Sequence, residues 1–139
     1  MTTPAYHECL NAQLRRSVRA VGRAYDAALK PAGLRSTQFT LLAVFAYHRD
    51  LTVTRLAETM GMDRTTLTRN LQPLLKKGWL EIRGDEDARV RVVRMTSAGA
   101  RKLQEATPLW EAVQQKTTEL LGHDGLGLLA DRLARLEGS

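Results

Sequence analysis

Arg64, Thr65, Thr66, Thr68 and Arg69 crowd one short stretch of the chain. A guanidinium is a rigid two-pronged donor that fits the O6/N7 edge of guanine. Threonine hydroxyls reach bases or phosphates, and their methyls pack on a thymine methyl. Further along, Arg91 and Lys76 or Lys77 offer charges of the kind that neutralise phosphates. These residue types suit recognition of a nucleic-acid duplex, not bond making. Catalytic signatures are missing: the chain has no G-x-S-x-G, no H-E-x-x-H, no P-loop and no dinucleotide fingerprint. Its three histidines, His7, His48 and His123, are scattered, and an enzyme is not expected.

The elements that must hold these side chains follow from apolar spacing. Thr52 reads as an N-cap, with Leu56, Ala57 and Met60 on an inward face and Gly61 as the stop. Asp63 caps the next helix. Leu67, Leu71, Leu74 and Leu75 form its core face, leaving Arg64, Thr65, Thr66, Thr68 and Arg69 outward until Gly78 ends it. Trp79–Arg83 and Arg89–Met95 read as strands around the turn Gly84-Asp-Glu-Asp-Ala88, with Val90 and Val92 inward and Arg89 and Arg91 outward. The result is two short helices about a glycine turn, followed by a hairpin.

On either side the pattern is helical. From Pro4 to about Lys30, Leu10, Leu14, Val18, Val21, Tyr25 and Ala28 recur at helical spacing, and Pro31-Ala-Gly33 ends the run. Ser36 is the expected N-cap of a second helix through Phe39, Leu41, Leu42, Val44 and Phe45, apolar nearly all round and therefore central. After Thr96 a helix is expected to about Leu121, bent or interrupted at Pro108. Leu126, Leu129, Leu133 and Leu136 mark a last one. The fold class is mainly α with a small β-hairpin wing, a winged helix-turn-helix core flanked by terminal helices. These apolar terminal faces have too few neighbours within 139 residues to be covered, which predicts a homodimer.

Composition agrees. The net charge of +6 divides into +4 for residues 1–48, +4 for 49–101 and −2 for 102–139, a basic body with an acidic tail. No apolar run approaches the roughly 20 residues that span a bilayer, no membrane partner is expected, and the first residues do not resemble a signal peptide. One cysteine allows no intrachain disulfide. The expectation is a soluble cytoplasmic protein.

With these residues in place, the chain resembles the MarR family of winged-helix transcriptional regulators. The likeness rests on Leu56-Ala-Glu-Thr-Met-Gly-Met-Asp-Arg-Thr-Thr-Leu-Thr-Arg-Asn-Leu71, then Leu74-Leu-Lys-Lys-Gly-Trp-Leu80, then Asp87-Ala-Arg89, Arg94-Met-Thr96 and Ala98-Gly99, and it spans residues 8–137. It implies one domain over 1–139, with a DNA-binding lobe at 36–99 and dimerisation helices at 4–30 and 100–137. It further implies a homodimer on a pseudo-palindromic operator in double-stranded DNA, with half-sites about one helical turn apart. The reading helix would enter the major groove. Arg89 would take the minor groove, attracted by its negative potential, with Asp87 as the acid that orients it. Asp85-Glu86-Asp87 makes this tip unusually acidic.

The resemblance also implies control, most often as a repressor released by a small effector. Candidates by position for an aromatic carboxylate are Arg15, Arg19, Tyr25, Phe39, Phe45 and Trp110, all equally explicable as packing. Cys9 is the alternative, a redox switch near a helix start. Family members that sense hydroperoxides carry a cysteine at the place occupied here by Asn11, so Cys9 falls on another helix face. An ordinary thiol is the favoured reading. His7, Cys9 and His48 match no ligand spacing, and neither metal nor cofactor is expected. A non-specific architectural role on DNA is the remaining alternative.

Overall fold

The computed structural model describes residues 2–84 and 90–138. Its elements are α1 (Leu10–Leu29), α2 (Ser36–Val44), β1 (Asp50–Thr52), α3 (Val53–Met60), α4 (Arg64–Lys76), β2 (Leu80–Gly84), β3 (Arg91–Met95), α5 (Ser97–Leu121) and α6 (Gly125–Glu137). This is the mainly helical winged fold expected, with one antiparallel sheet of order β1-β3-β2. The chain divides into two compact units: Leu29–Pro108, and Met1–Ala28 with Leu109–Ser139.

Unit Leu29–Pro108 holds a dense core. Leu29, Leu41, Leu42, Leu56, Leu67, Leu71, Leu74, Leu80 and Val93 are fully buried, each burial contributing about 1.5–3 kcal/mol. Helix α2 buries Phe39, Leu41 and Leu42 on several sides, as its apolar periphery demands. Its N-cap is Arg35, not the expected Ser36, which is already the first helical residue. The entry is closed from the other side: Gln38 Oε1 accepts from the Arg35 backbone N–H at 2.9 Å.

Strand β1 is absent from the sequence reading, because three residues are too few to show a period of two. It exists by pairing, Asp50 opposite Arg94, Leu51 opposite Val93 and Thr52 opposite Val92. The hairpin strands are shorter than expected and their facing is shifted by one residue. Val93 is the fully buried member of β3, facing inward with Leu51 and Ile82, whereas Val92 is half-buried on the outer face with Arg94. Alternation then puts Arg91 on the inner parity, where it is exposed at the strand end.

Other boundaries also move. Helix α1 starts at Leu10, preceded by a 3-10 turn at Tyr6–Glu8, so Pro4 does not open it. At the far end of α4 the cap is Lys77, with Gly78 just beyond it at φ 72°. Gly78 N–H reaches Leu75 O and Trp79 N–H reaches Leu74 O, which satisfies the last carbonyls. Pro108 lies inside α5 without ending it.

In the other unit, Tyr25 on α1 donates to Gln114 Oε1 and shares a hydrogen bond of 2.9 Å with Thr117 Oγ1, both on α5. Val113 is buried there. Leu10, Val18, Val21, Leu120, Leu121, Leu126, Leu128, Leu129 and Leu136 are exposed.

Candidate nucleic-acid interface

Helix α4 is set by its two ends. Thr52 Oγ1 accepts from Arg55 N–H at 3.1 Å and starts α3. Gly61, at φ 63°, turns the chain, a left-handed conformation that other residues adopt at a cost. Asn70 Nδ2 lies 3.5 Å from Met62 Sδ and ties that turn to α4. Asp63 then caps α4, its Oδ1 accepting from Thr66 N–H at 2.8 Å and its Oδ2 from Thr66 Oγ1 at 2.9 Å. These bonds, the backbone one first, hold the Asp63 carboxyl below the usual carboxylate range.

Anchored by Leu67, Leu71 and Leu74, α4 turns Arg64, Thr65, Thr68, Arg69, Gln72 and Lys76 to solvent. That stripe runs about 18 Å at 1.5 Å per residue, the reach of a helix laid into a major groove. The expected donors separate by availability. Thr66 spends its hydroxyl on the cap and is half-buried, so it acts here as a capping partner. Thr68 donates to Arg64 O at 2.8 Å and presents its methyl and lone pairs. Arg64, Arg69 and Lys76 form no salt bridge among the described residues, in contrast to Arg55 with Glu58 and Arg83 with Glu81, each at 3.2 Å. Gln72 was missed by the sequence reading. Its spacing of four from Thr68 was the available signal, and its amide suits an adenine edge.

The wing has two described strands and a tip, Asp85–Arg89, that lies outside the described residues, so the expectations for Asp87 and Arg89 lie there too. Arg91 is exposed at the tip end of β3, opposite Gly84. Arg94, at the other end, is held by Asp50 through Nε to Oδ1 at 2.7 Å and Nη2 to Oδ2 at 2.8 Å.

The joint between α4 and the wing is packed without slack. Thr96 N–H donates to Trp79 O at 3.1 Å, and Gly99 N–H donates to Thr96 Oγ1 at 3.1 Å. A Cβ on Gly99 would sit 2.1 Å from Trp79 O, so the Ala98-Gly99 motif marks a close approach of α5 to the wing root. Lys102 Nζ lies 5.5 Å from the Trp79 ring centroid, donates to Ala32 O at 3.0 Å and pairs with Glu105 at 2.8 Å.

The effector candidates divide between the units. Phe39 and Phe45 are core side chains of Leu29–Pro108. Arg15 and Arg19 are exposed on α1, while Tyr25 and Trp110 are half-buried. Cys9 is exposed, and its carbonyl accepts from Gln13 N–H at the start of α1. Among the described residues no group of three His, Cys, Asp or Glu could hold a metal, and no helix is long and apolar enough to cross a membrane.

Known proteins share this fold. The model of the MarR family matches residues 32–89. The structure of the Mycobacterium tuberculosis transcriptional regulator MosR in complex with DNA is 38% identical, with 93% of each chain covered and a TM-score of 0.83. The PcaV transcriptional regulator of Streptomyces coelicolor, solved with its natural ligand, has the same fold at 20% identity, covering 100% of this chain and 99% of that one with a TM-score of 0.86. An uncharacterized HTH-type transcriptional regulator of Bacillus subtilis, YwoH, is 27% identical over 93 residues, 67% of this chain and 68% of that protein. The chain belongs to the MarR family of transcriptional regulators, and it is a DNA-binding regulator.

Proposed function

We propose that the chain acts as a homodimeric, sequence-specific repressor that leaves a pseudo-palindromic operator when a small ligand binds. The observation that carries the DNA reading is the outer stripe of α4. Its cations form no salt bridge among the described residues, Thr65, Thr68 and Gln72 are exposed, and it is held by a cap at one end and three buried leucines along its length. Arg64, Arg69 and Gln72 are assigned to base edges, with Thr65 and Thr68 beside them. Lys76 and Arg91 are assigned to phosphates, Arg89 to the adjacent minor groove and Asp87 to orienting it. The apolar side chains exposed on α1, α5 and α6 support a second copy as partner, since this many exposed large apolar residues on one monomer call for cover. Two copies related by a two-fold axis match a palindrome.

Release is assigned to a small molecule because the single thiol, Cys9, lies two residues from the place that a hydroperoxide-sensing cysteine takes in the family, here Asn11. The PcaV complex supports a ligand-responsive fold. The test is selection of bound fragments from genomic DNA, followed by footprinting and mass determination in solution. A two-fold motif, protected symmetrically by a species of twice the chain mass, is expected. Equal affinity for every duplex would instead mark an architectural protein. Operator binding abolished by capping Cys9 with a small alkylating agent would move the switch to that thiol.

A further inference from the structure

The outer face of the sheet carries a second cluster of charge that the reading helix does not use. An open cavity of about 390 Å³ lies there, and a second of about 550 Å³ lies at the end of the sheet, the two sharing the Asp50–Arg94 pair as a common wall. Arg83 and Gly84 border the smaller, and Arg49, Phe45 and Met95 border the larger. Three guanidinium groups thus stand near Asp50, and a second carboxylate, Glu81, lies opposite Arg94 and pairs with Arg83. Asp50 carries the mark of that field: its carboxyl lies below the usual range, through the hydrogen bond from Arg94 first and then the charges of Arg94, Arg49 and Arg83.

The donors are only partly spent. Arg94 uses Nε and Nη2 on Asp50, and a guanidinium has five N–H bonds, so its Nη1 edge remains. Arg83 gives Nη2 to Glu81 at 3.2 Å, and Arg49 makes no salt bridge among the described residues. We propose that the larger cavity is a phosphate site, in which Arg49 and the free edge of Arg94 hold one phosphate group. A monocarboxylate is the poorer occupant, because Asp50 already presents one to Arg94 from the neighbouring strand at high effective concentration. A phosphate brings more charge and more acceptor oxygens, and can bridge two guanidinium groups without displacing Asp50. The group can come from a free phosphorylated small molecule or from a duplex backbone beyond the wing. The second source rests on the DNA-binding reading above.

The experiment titrates inorganic phosphate into the full chain by calorimetry, at ionic strength held constant with chloride. Saturable binding, weakened at least fivefold in Arg49→Gln, strengthened in Asp50→Asn and unchanged in Lys30→Gln, establishes a site for a free phosphate. No saturable heat, with Arg49→Gln weakening a long operator duplex at least threefold and lowering its salt slope by about 1, establishes the backbone source. Equal losses in Arg49→Gln and Lys30→Gln, or no effect of Arg49→Gln in either titration, overturn the site. If the wild-type chain binds no duplex, the DNA reading has failed on its own, and the phosphate titration alone decides.

Discussion

The two units divide their apolar side chains in opposite ways. Among the described residues, Val113 is the one buried core residue outside Leu29–Pro108, and Tyr47 the one large exposed apolar residue inside it. One unit closes a core around the reading helix and wing. The other presents Leu10, Val18, Val21 and the leucines of α6 to solvent. The difference separates a lobe with a closed core from terminal helices whose large apolar side chains are exposed.

Substitutions in the two units should therefore behave differently. Leu71→Ala empties a fully buried position under the reading helix and should cost about 2–5 kcal/mol by chemical denaturation, at any protein concentration. Leu126→Asp with Leu129→Asp, on exposed positions of α6, should instead act through association. The expected result is a halved mass in solution, a Tm that no longer rises with concentration, and weaker operator binding. Equal mass for wild type and variant would break the comparison, since the terminal leucines would then be covering nothing.

Gly99 sharpens it within the lobe. Gly99→Ala drives a methyl into Trp79 O and should destabilise by about 1–3 kcal/mol. Its thermal melt is to be compared with that of Gly127→Ala on α6, where an added Cβ meets no atom within 4 Å. There a small gain from helix propensity is expected. Similar losses at both glycines would show that the wing joint is not tight.

On the DNA side, Arg69→Ala should cost about 1–3 kcal/mol against the preferred operator and relax sequence preference at one position. Lys76→Ala should weaken all duplexes alike and reduce the salt slope by about 1. Arg23→Ala, on exposed α1, is the control. Competition binding at several salt concentrations separates the three. An unaltered preference in Arg69→Ala would remove that arginine from base recognition.

Much of this was legible in the sequence because the signals are local. Thr52, Gly61 and Asp63 announce their caps and turn through side-chain type alone, and Leu67, Leu71 and Leu74 announce their face by spacing. Strand β1 was not legible. Asp50–Thr52 is a strand only because β3, some forty residues away, pairs with it. The same pairing decides that Val93 faces inward and Val92 does not, which adjacent valines cannot reveal. Arg94 is a further case: as a type it suggests a phosphate contact, but its partner Asp50 lies on that unseen strand. Thr66 is the reverse, a hydroxyl that looks free until Asp63 claims it.

The smallest effect expected is at that cap, and its sign follows from charge. Asp63 accepts its hydrogen bonds as a carboxylate, and its pKa in the folded chain lies below the ordinary value near 3.8. A depressed folded pKa means that the cap's contribution is fully present above the unfolded value and fades as pH falls through the folded one. Asp63→Asn keeps an oxygen acceptor for Thr66 N–H but loses the charge that favours a helix N-terminus. The variant should melt slightly earlier than wild type at neutral pH, with the gap closing as acid protonates Asp63 in the wild type. A gap at Asp63 that stays constant down to pH about 2.5 would mean that the carboxylate contributes no more than its oxygen. The reading helix would then owe its position to Leu67, Leu71 and Leu74 alone.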